Sequence, residues 1–301
     1  MALQFAALLI SVLFRWCGAC TTLIAGRHTT VDGSVMASHS NDGASGSGGR
    51  ISRVLSASWP PTGPGSNRSV AGGTIPQVAH TYAYHTEGYG IMNEHQVGLG
   101  ETTCFGIFKG KTPGIMDIID LGKVALERTT TSRAAVVLMG ELAERYGYND
   151  NGESLMVIDP TEGWIFQVLP DDTGASAVWV AQRVGDDEVG AVANAFTIRV
   201  VDFEDNNTFL SSSSMQDVAE RATNWTRGTP LDFTATFSAG EESLFYSGRR
   251  MWSAMHLMAP EHTFSPFYTD FNRDKPYPAT VAVQPKSLNV TDFFRVMRDV
   301  S

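Results

Sequence analysis

Cys20 follows Cys17-Gly18-Ala19, and these small residues sit just behind Leu3 to Phe14, the only long apolar run in the chain. About a dozen residues is too short to cross a bilayer, which needs ~20. It suits the apolar region of a secretory signal, with small residues where a signal peptidase reads them. Cleavage after Ala19 would leave Cys20 first, carrying a thiol and an α-amine on one residue. A thiol attacks only as thiolate, and its free pKa is near ~8.5. The α-amine, ordinarily at ~7.7–8.0, is partly unprotonated at neutral pH and can take the thiol's proton. Residues 1–19 are therefore expected to be a signal and 20–301 the functional domain. Arg15 follows the apolar run and no Lys or Arg precedes it; the competing assignment for this segment is a buried first strand.

Of the three cysteines, Cys17 would leave with the signal. Cys20 and Cys104 are too few for a disulfide framework. Either they pair, or Cys20 is a working thiol and Cys104 a buried apolar residue. No Cys/His spacing resembles a zinc site, so neither metal nor cofactor is expected. A net charge of −10 without a Lys/Arg cluster excludes a nucleic-acid partner. The sequons beginning at Asn67, Asn206, Asn224 and Asn289 fit a secreted glycoprotein or one held in the lumen of the secretory pathway, with no membrane attachment after signal removal.

Strand-like runs at 20–26 and 34–40 flank a turn at Asp32-Gly33. Segments 81–84 and 89–92 read as extended around Glu87-Gly88. Pro113 opens an expected helix to Arg128, and Thr131 or Ser132 caps another to Tyr146, ended by Gly147. Strands follow at 154–159, 163–168, 177–183 and 188–200, helices at 214–225 and 245–258, and a strand at 279–284. Helices set between groups of hairpin-like strands indicate an α+β fold.

The blocks Cys20-Thr21-Thr22-Leu23-Ile24-Ala25-Gly26, Asp32-Gly33-Ser34 and Ser38-His39-Ser40-Asn41-Asp42 resemble the mature start of the cysteine dipeptidases related to the secernins. Further blocks extend the resemblance: Tyr89-Gly90-Ile91-Met92-Asn93-Glu94, Gly100-Glu101-Thr102-Thr103-Cys104, Ala193-Asn194 and Ser247-Gly248-Arg249-Arg250-Met251-Trp252. The resemblance implies an N-terminal-nucleophile hydrolase with a four-layer αββα sandwich that cleaves dipeptides without metal. It implies Cys20 as nucleophile and, through its amine, as base, with Asp42 holding that amine. Asn194 would donate to the oxyanion, and Arg250, in preference to Arg249, would favour thiolate. Asn93 is a second candidate at the oxyanion, and Glu101 or Glu94 a candidate for a dipeptide's free amine. His39 is read as a structural strand residue, since the amine makes a histidine partner unnecessary.

The chain departs from the family in two places. Many relatives carry Ala-Arg-Asn-x-Asp where Ala37 to Asp42 stand here, and relatives continue well past Arg298. The domain is therefore expected to be truncated at its C-terminus. Two other activities compete with a dipeptidase. One is an acylase acting on non-peptide amides, with Trp59, Tyr82 and Tyr84 lining an open pocket. The other is a truncated, non-catalytic secreted protein.

Overall fold

The computed structural model describes residues 20–42, 50–239, 246–267, 277–284 and 288–299. The expected signal at 1–19 lies outside the described residues. In chain order the strands are β1 (Thr21–Ala25), β2 (Met36–Ser40), β3 (Ser52–Val54), β4 (Ala57–Ser58), β5 (Asn67–Val70), β6 (Gly73–Pro76), β7 (His80–Thr81) and β8 (Tyr84–Glu87). There follow β9 (Tyr89–Asn93), β10 (Gly98–Cys104), β11 (Gly152–Ile158), β12 (Gly163–Pro170), β13 (Ala177–Val184), β14 (Glu188–Val192), β15 (Phe209–Ser211) and β16 (Val281–Ala282). The α-helices are α1 (Ile118–Arg128), α2 (Ser132–Tyr146), α3 (Met215–Ala222), α4 (Phe233–Phe237), α5 (Tyr246–Met258) and α6 (Val290–Met297).

Mixed helices and antiparallel sheets make the chain α+β. One sheet runs β16-β14-β1-β2 and a larger one β15-β13-β12-β11-β10-β9-β8-β3. Strands β11 to β13 are apolar on both faces, so both faces are covered. Leu155, Val157, Phe166, Val168 and Trp179 pack with Leu121, Val124 and Leu126 of α1 and Val136 and Met139 of α2. Met156, Ile165, Val178 and Val180 of the same strands pack with Ile24 of β1 and Val192 of β14. A third core joins Leu23, Ala25, Val189 and Ala191 to Met251, Ala254, Met255 and Met258 of α5 and Phe293 of α6. Strand β1 thus carries alternate residues into two different cores, as a period of two requires.

Local chemistry accounts for most boundaries. Asp117 caps α1 by accepting from the Asp120 N–H at 2.7 Å, so this helix begins at Ile118 and not near Pro113. Thr131 caps α2, and Gly147 ends it at φ +73°. The long strand expected over 188–200 stops at Val192, because Asn194 takes φ +52° and turns the chain out of the sheet. Only Val281–Ala282 remain of the strand expected over 279–284. Helix α6 opens on a reciprocal capping box between Asn289 and Asp292, which the apolar pattern alone did not reveal.

Candidate active site

Cys20 lies at the N-terminal edge of β1, which is hydrogen-bonded on both sides, by β2 and by β14. The register pairs Thr22 with His39 and Thr21 with Ser40. Period-two alternation then puts Cys20, Thr22 and His39 on one face. That face abuts β10: a Cβ added to Gly100 would stand 2.8 Å from the His39 Cβ and 3.4 Å from the Thr22 Cγ2. Only a residue without a side chain lets the imidazole lie so close across the strand.

Strands β9 and β10 share a single register pair, Met92 with Gly98. Beyond it the His39 ring reaches both strands, edge-on to Tyr89 of β9 at 6.2 Å between centroids and 3.6 Å from the Glu101 carboxylate of β10. The Cys20 Sγ, a His39 ring nitrogen and a Glu101 oxygen all lie within 4.8 Å of one another. Burial disfavours the imidazolium, but attraction from the Cys20 sulfur and the Glu101 carboxylate beside it prevails, and the His39 pKa rises to about 9. His39 is therefore cationic at neutral pH. Its sequence assignment as a structural residue is corrected: the ring belongs to the Cys20 cluster. The signal was available in the hairpin register, which places position 39 opposite Thr22.

Arg250 clamps the Cys20 backbone. One guanidinium nitrogen donates to the Cys20 carbonyl at 2.6 Å and to the Thr21 hydroxyl at 3.1 Å. The other donates to the Asn194 Oδ1 at 2.9 Å, while Nε holds the Tyr246 carbonyl at 3.0 Å. The guanidinium also lies over the Tyr246 ring at 4.4 Å. Arg249, one residue earlier on α5, is exposed and lies over Phe267 instead.

Asn194 is buried, and its Nδ2 donates to the Thr103 carbonyl at 2.7 Å. An amide nitrogen has two hydrogens, so a second donor position exists beyond that bond. Asp42 is exposed at the end of β2 and accepts from the Ser40 hydroxyl at 3.2 Å. That hydroxyl in turn accepts the Thr21 N–H at 3.1 Å, which places Asp42 one hydroxyl away from the backbone beside Cys20.

Other candidates stand elsewhere. Both ends of the Asn93 amide serve backbone: Nδ2 donates to the Leu126 and Thr129 carbonyls, and Oδ1 accepts from the His95 and Val97 N–H groups. Those bonds tie the β9–β10 turn to the end of α1. Glu94 accepts from the Ala83 N–H at 2.8 Å. Tyr84 is packed in the core under α1, and the Trp59 indole donates to Thr81. Cys20 and Cys104 both remain thiols.

Glu153 is the residue that sequence reasoning missed. It pairs with Thr103 across β10–β11, one step along the same face from the Glu101–Leu155 pair. Burial, with Glu101's charge added, pushes its pKa well above the usual carboxylate range. The two side chains act as one buried dyad. Nothing in a single sequence distinguishes Glu153 from a solvated strand glutamate.

A buried thiol beside an imidazole and a carboxylate, with its backbone clamped by an arginine, is an arrangement that can support nucleophilic catalysis. Residues 19–299 match peptidase family C69, and the chain belongs to that family of cysteine dipeptidases with an N-terminal-nucleophile fold. It is 23% identical over 277 residues to a probable dipeptidase of Latilactobacillus sakei, covering 84% of this chain and 55% of the relative. Against a probable dipeptidase of Salmonella dublin it is 23% identical over 284 residues, covering 85% and 63%. A probable dipeptidase A of Streptococcus pyogenes serotype M3 is 24% identical over 264 residues, covering 81% and 55%. The chain thus spans between half and two thirds of the length of these curated relatives. Among the described residues no helix is long and apolar enough to cross a membrane.

Proposed function

We propose that this chain is a secreted cysteine dipeptidase that works through an acyl-enzyme on Cys20, exposed as the first residue by removal of residues 1–19. The observation that carries this reading is the convergence of Cys20, His39 and Glu101 within 4.8 Å at the end of a central strand. An imidazolium has no lone pair to accept the thiol proton, so the base is the Cys20 α-amine. His39 is the fixed cation that stabilises the thiolate, and Asp42, through Ser40, orients the amine.

In the reaction the thiolate adds to the dipeptide carbonyl, and negative charge develops on its oxygen. The remaining Nδ2 hydrogen of Asn194 stabilises that charge; one such donor typically contributes ~2.7–4 kcal/mol. The C–N bond breaks, and the leaving amine takes the proton held by the Cys20 amine. A thioester to Cys20 remains, and water, deprotonated by the same amine, hydrolyses it.

The three successive cores, helices on sheet, sheet on sheet and sheet on helices, support the four-layer αββα architecture. Exposure of Asn67, Asn206 and Asn224 supports a glycosylated, secreted product. Expression of the full chain, mass measurement of its N-terminus and assay on dipeptides test the proposal. Cys20→Ser is expected to abolish turnover and leave the fold intact. Equal rates for the two proteins would remove Cys20 from the mechanism.

A further inference from the structure

Two carboxyl groups lie beside the nucleophile without enough cation to match them. Glu101 is 3% exposed and Glu153 2% exposed. Among the described residues neither Glu101 oxygen has a hydrogen-bond donor, and neither does Glu153 Oε2. Buried carboxylate oxygens are otherwise paired, since leaving one bare costs ~1–3 kcal/mol or more. The nearest cation among the described residues, His39, stands at 3.6 Å, longer than a hydrogen bond, and it also faces the Cys20 sulfur. The remaining groups around the pair, Tyr89, Tyr148, Asp150 and Asp117, bring acids and phenols but no positive charge.

We infer that the Glu101–Glu153 pair is the subsite for the free α-ammonium group of a dipeptide substrate, with Glu101 making the direct contact. The inference rests on the dipeptidase reading and gives it a specificity determinant. Reach supports it. A carbonyl carbon poised for attack lies ~3–3.5 Å from the sulfur, and the substrate's amine is only two bonds further on. A carboxylate oxygen within 4.8 Å of Sγ is therefore within the amine's reach. Charge supports it as well. Among the described residues His39 is the one cation set against Glu101, and it also faces the Cys20 sulfur, so the carboxyl pair keeps negative charge for an incoming cation. A substrate lacking the ammonium leaves that charge bare, so the site selects free N-termini by penalising blocked ones.

The test compares alanyl-alanine with propionyl-alanine, which has the same shape but no amine, on the full chain and on Glu101→Gln. Turnover by the unsubstituted protein should favour the dipeptide by about tenfold to a hundredfold, the range expected for one charge-assisted contact. Glu101→Gln should lose activity on the dipeptide alone and bring the two substrates within a few-fold of each other. Similar rates on both substrates by the unsubstituted protein would overturn the subsite while leaving the hydrolase reading intact. So would an equal loss on both in Glu101→Gln. If neither substrate is cleaved, the dipeptidase reading fails, and calorimetry on Cys20→Ser decides the subsite by itself. Preferential binding of alanyl-alanine supports it, and equal or absent binding of the two compounds defeats it.

Discussion

The Arg250 guanidinium donates to the Cys20 carbonyl at 2.6 Å and with its other terminal nitrogen to the Asn194 side chain at 2.9 Å. One planar group on α5 therefore sets the spacing between Cys20 and the proposed oxyanion donor. Lysine offers one nitrogen where arginine offers a rigid fork of two, and cannot reproduce that spacing. Arg250→Lys should lower kcat/KM about tenfold to a hundredfold, whereas Arg249→Lys should leave it unchanged. Steady-state kinetics on the two variants decide the matter, and a loss confined to Arg249→Lys would contradict the assignment.

Asn194→Ala should cost about 10²–10³ in kcat with little change in KM, because an oxyanion donor acts on the transition state and not on the bound substrate. An increase in KM alone would place Asn194 in substrate binding.

The raised His39 pKa makes a signed prediction about pH. A group that holds its proton more tightly when folded stabilises the fold fully below its unfolded pKa of 6.5 and loses that contribution as pH rises through about 9. The wild-type chain should become less stable between these limits, by roughly 3 kcal/mol at most. His39→Gln should flatten that part of the profile. Urea melts at several pH values measure it, and identical slopes for the two proteins would show that His39 carries no such charge.

Cys20, His39 and Glu101 also offer thiolate, imidazole and carboxylate, the donors a zinc ion accepts. The proposed reaction uses them without metal, so EDTA should leave dipeptide turnover unchanged. Loss of activity in EDTA with recovery on added zinc would make Cys20 a ligand and not a nucleophile.

Packing outside the site is tested at Gly140. A Cβ there would stand 2.2 Å from the Trp179 ring, which is itself buried between α2 and the large sheet. Alanine would favour the helix by up to ~1 kcal/mol, but forced displacement of a buried indole costs ~1–3 kcal/mol. Gly140→Ala should therefore be neutral to clearly destabilising in chemical denaturation, and a stabilised variant would mean that the ring has room to move.

The proposed nucleophile and the alternation of elements were legible in the sequence because those signals are local. A cysteine behind small residues, the caps at Thr131 and Gly147 and the turn at Glu87-Gly88 each need only neighbouring residues to be read. The hairpin register brings His39 to Cys20, but its approach to Glu101 and the role of Glu153 were hidden because they depend on partners far along the chain, across a sheet interface and a strand register. Arg250 and Arg249 are adjacent on one helix, and only packing of α5 against β1 and β14 separates them. The end of β14 was misplaced for a related reason: the left-handed turn at Asn194 follows an apolar run that continues in Phe196 and Ile198, both buried in a different core.

Gly100 shows where this site is most vulnerable. No polar group need be altered to silence it. One methyl at that position would wedge the imidazole off its seat and separate the positive charge from the sulfur, even though every reactive residue would still be present in the sequence. A relative keeping Cys20, His39 and Glu101 but carrying a bulkier residue at position 100 should then be judged by how its backbone makes room, and its inventory of reactive side chains would be a poor guide to whether it can turn over substrate.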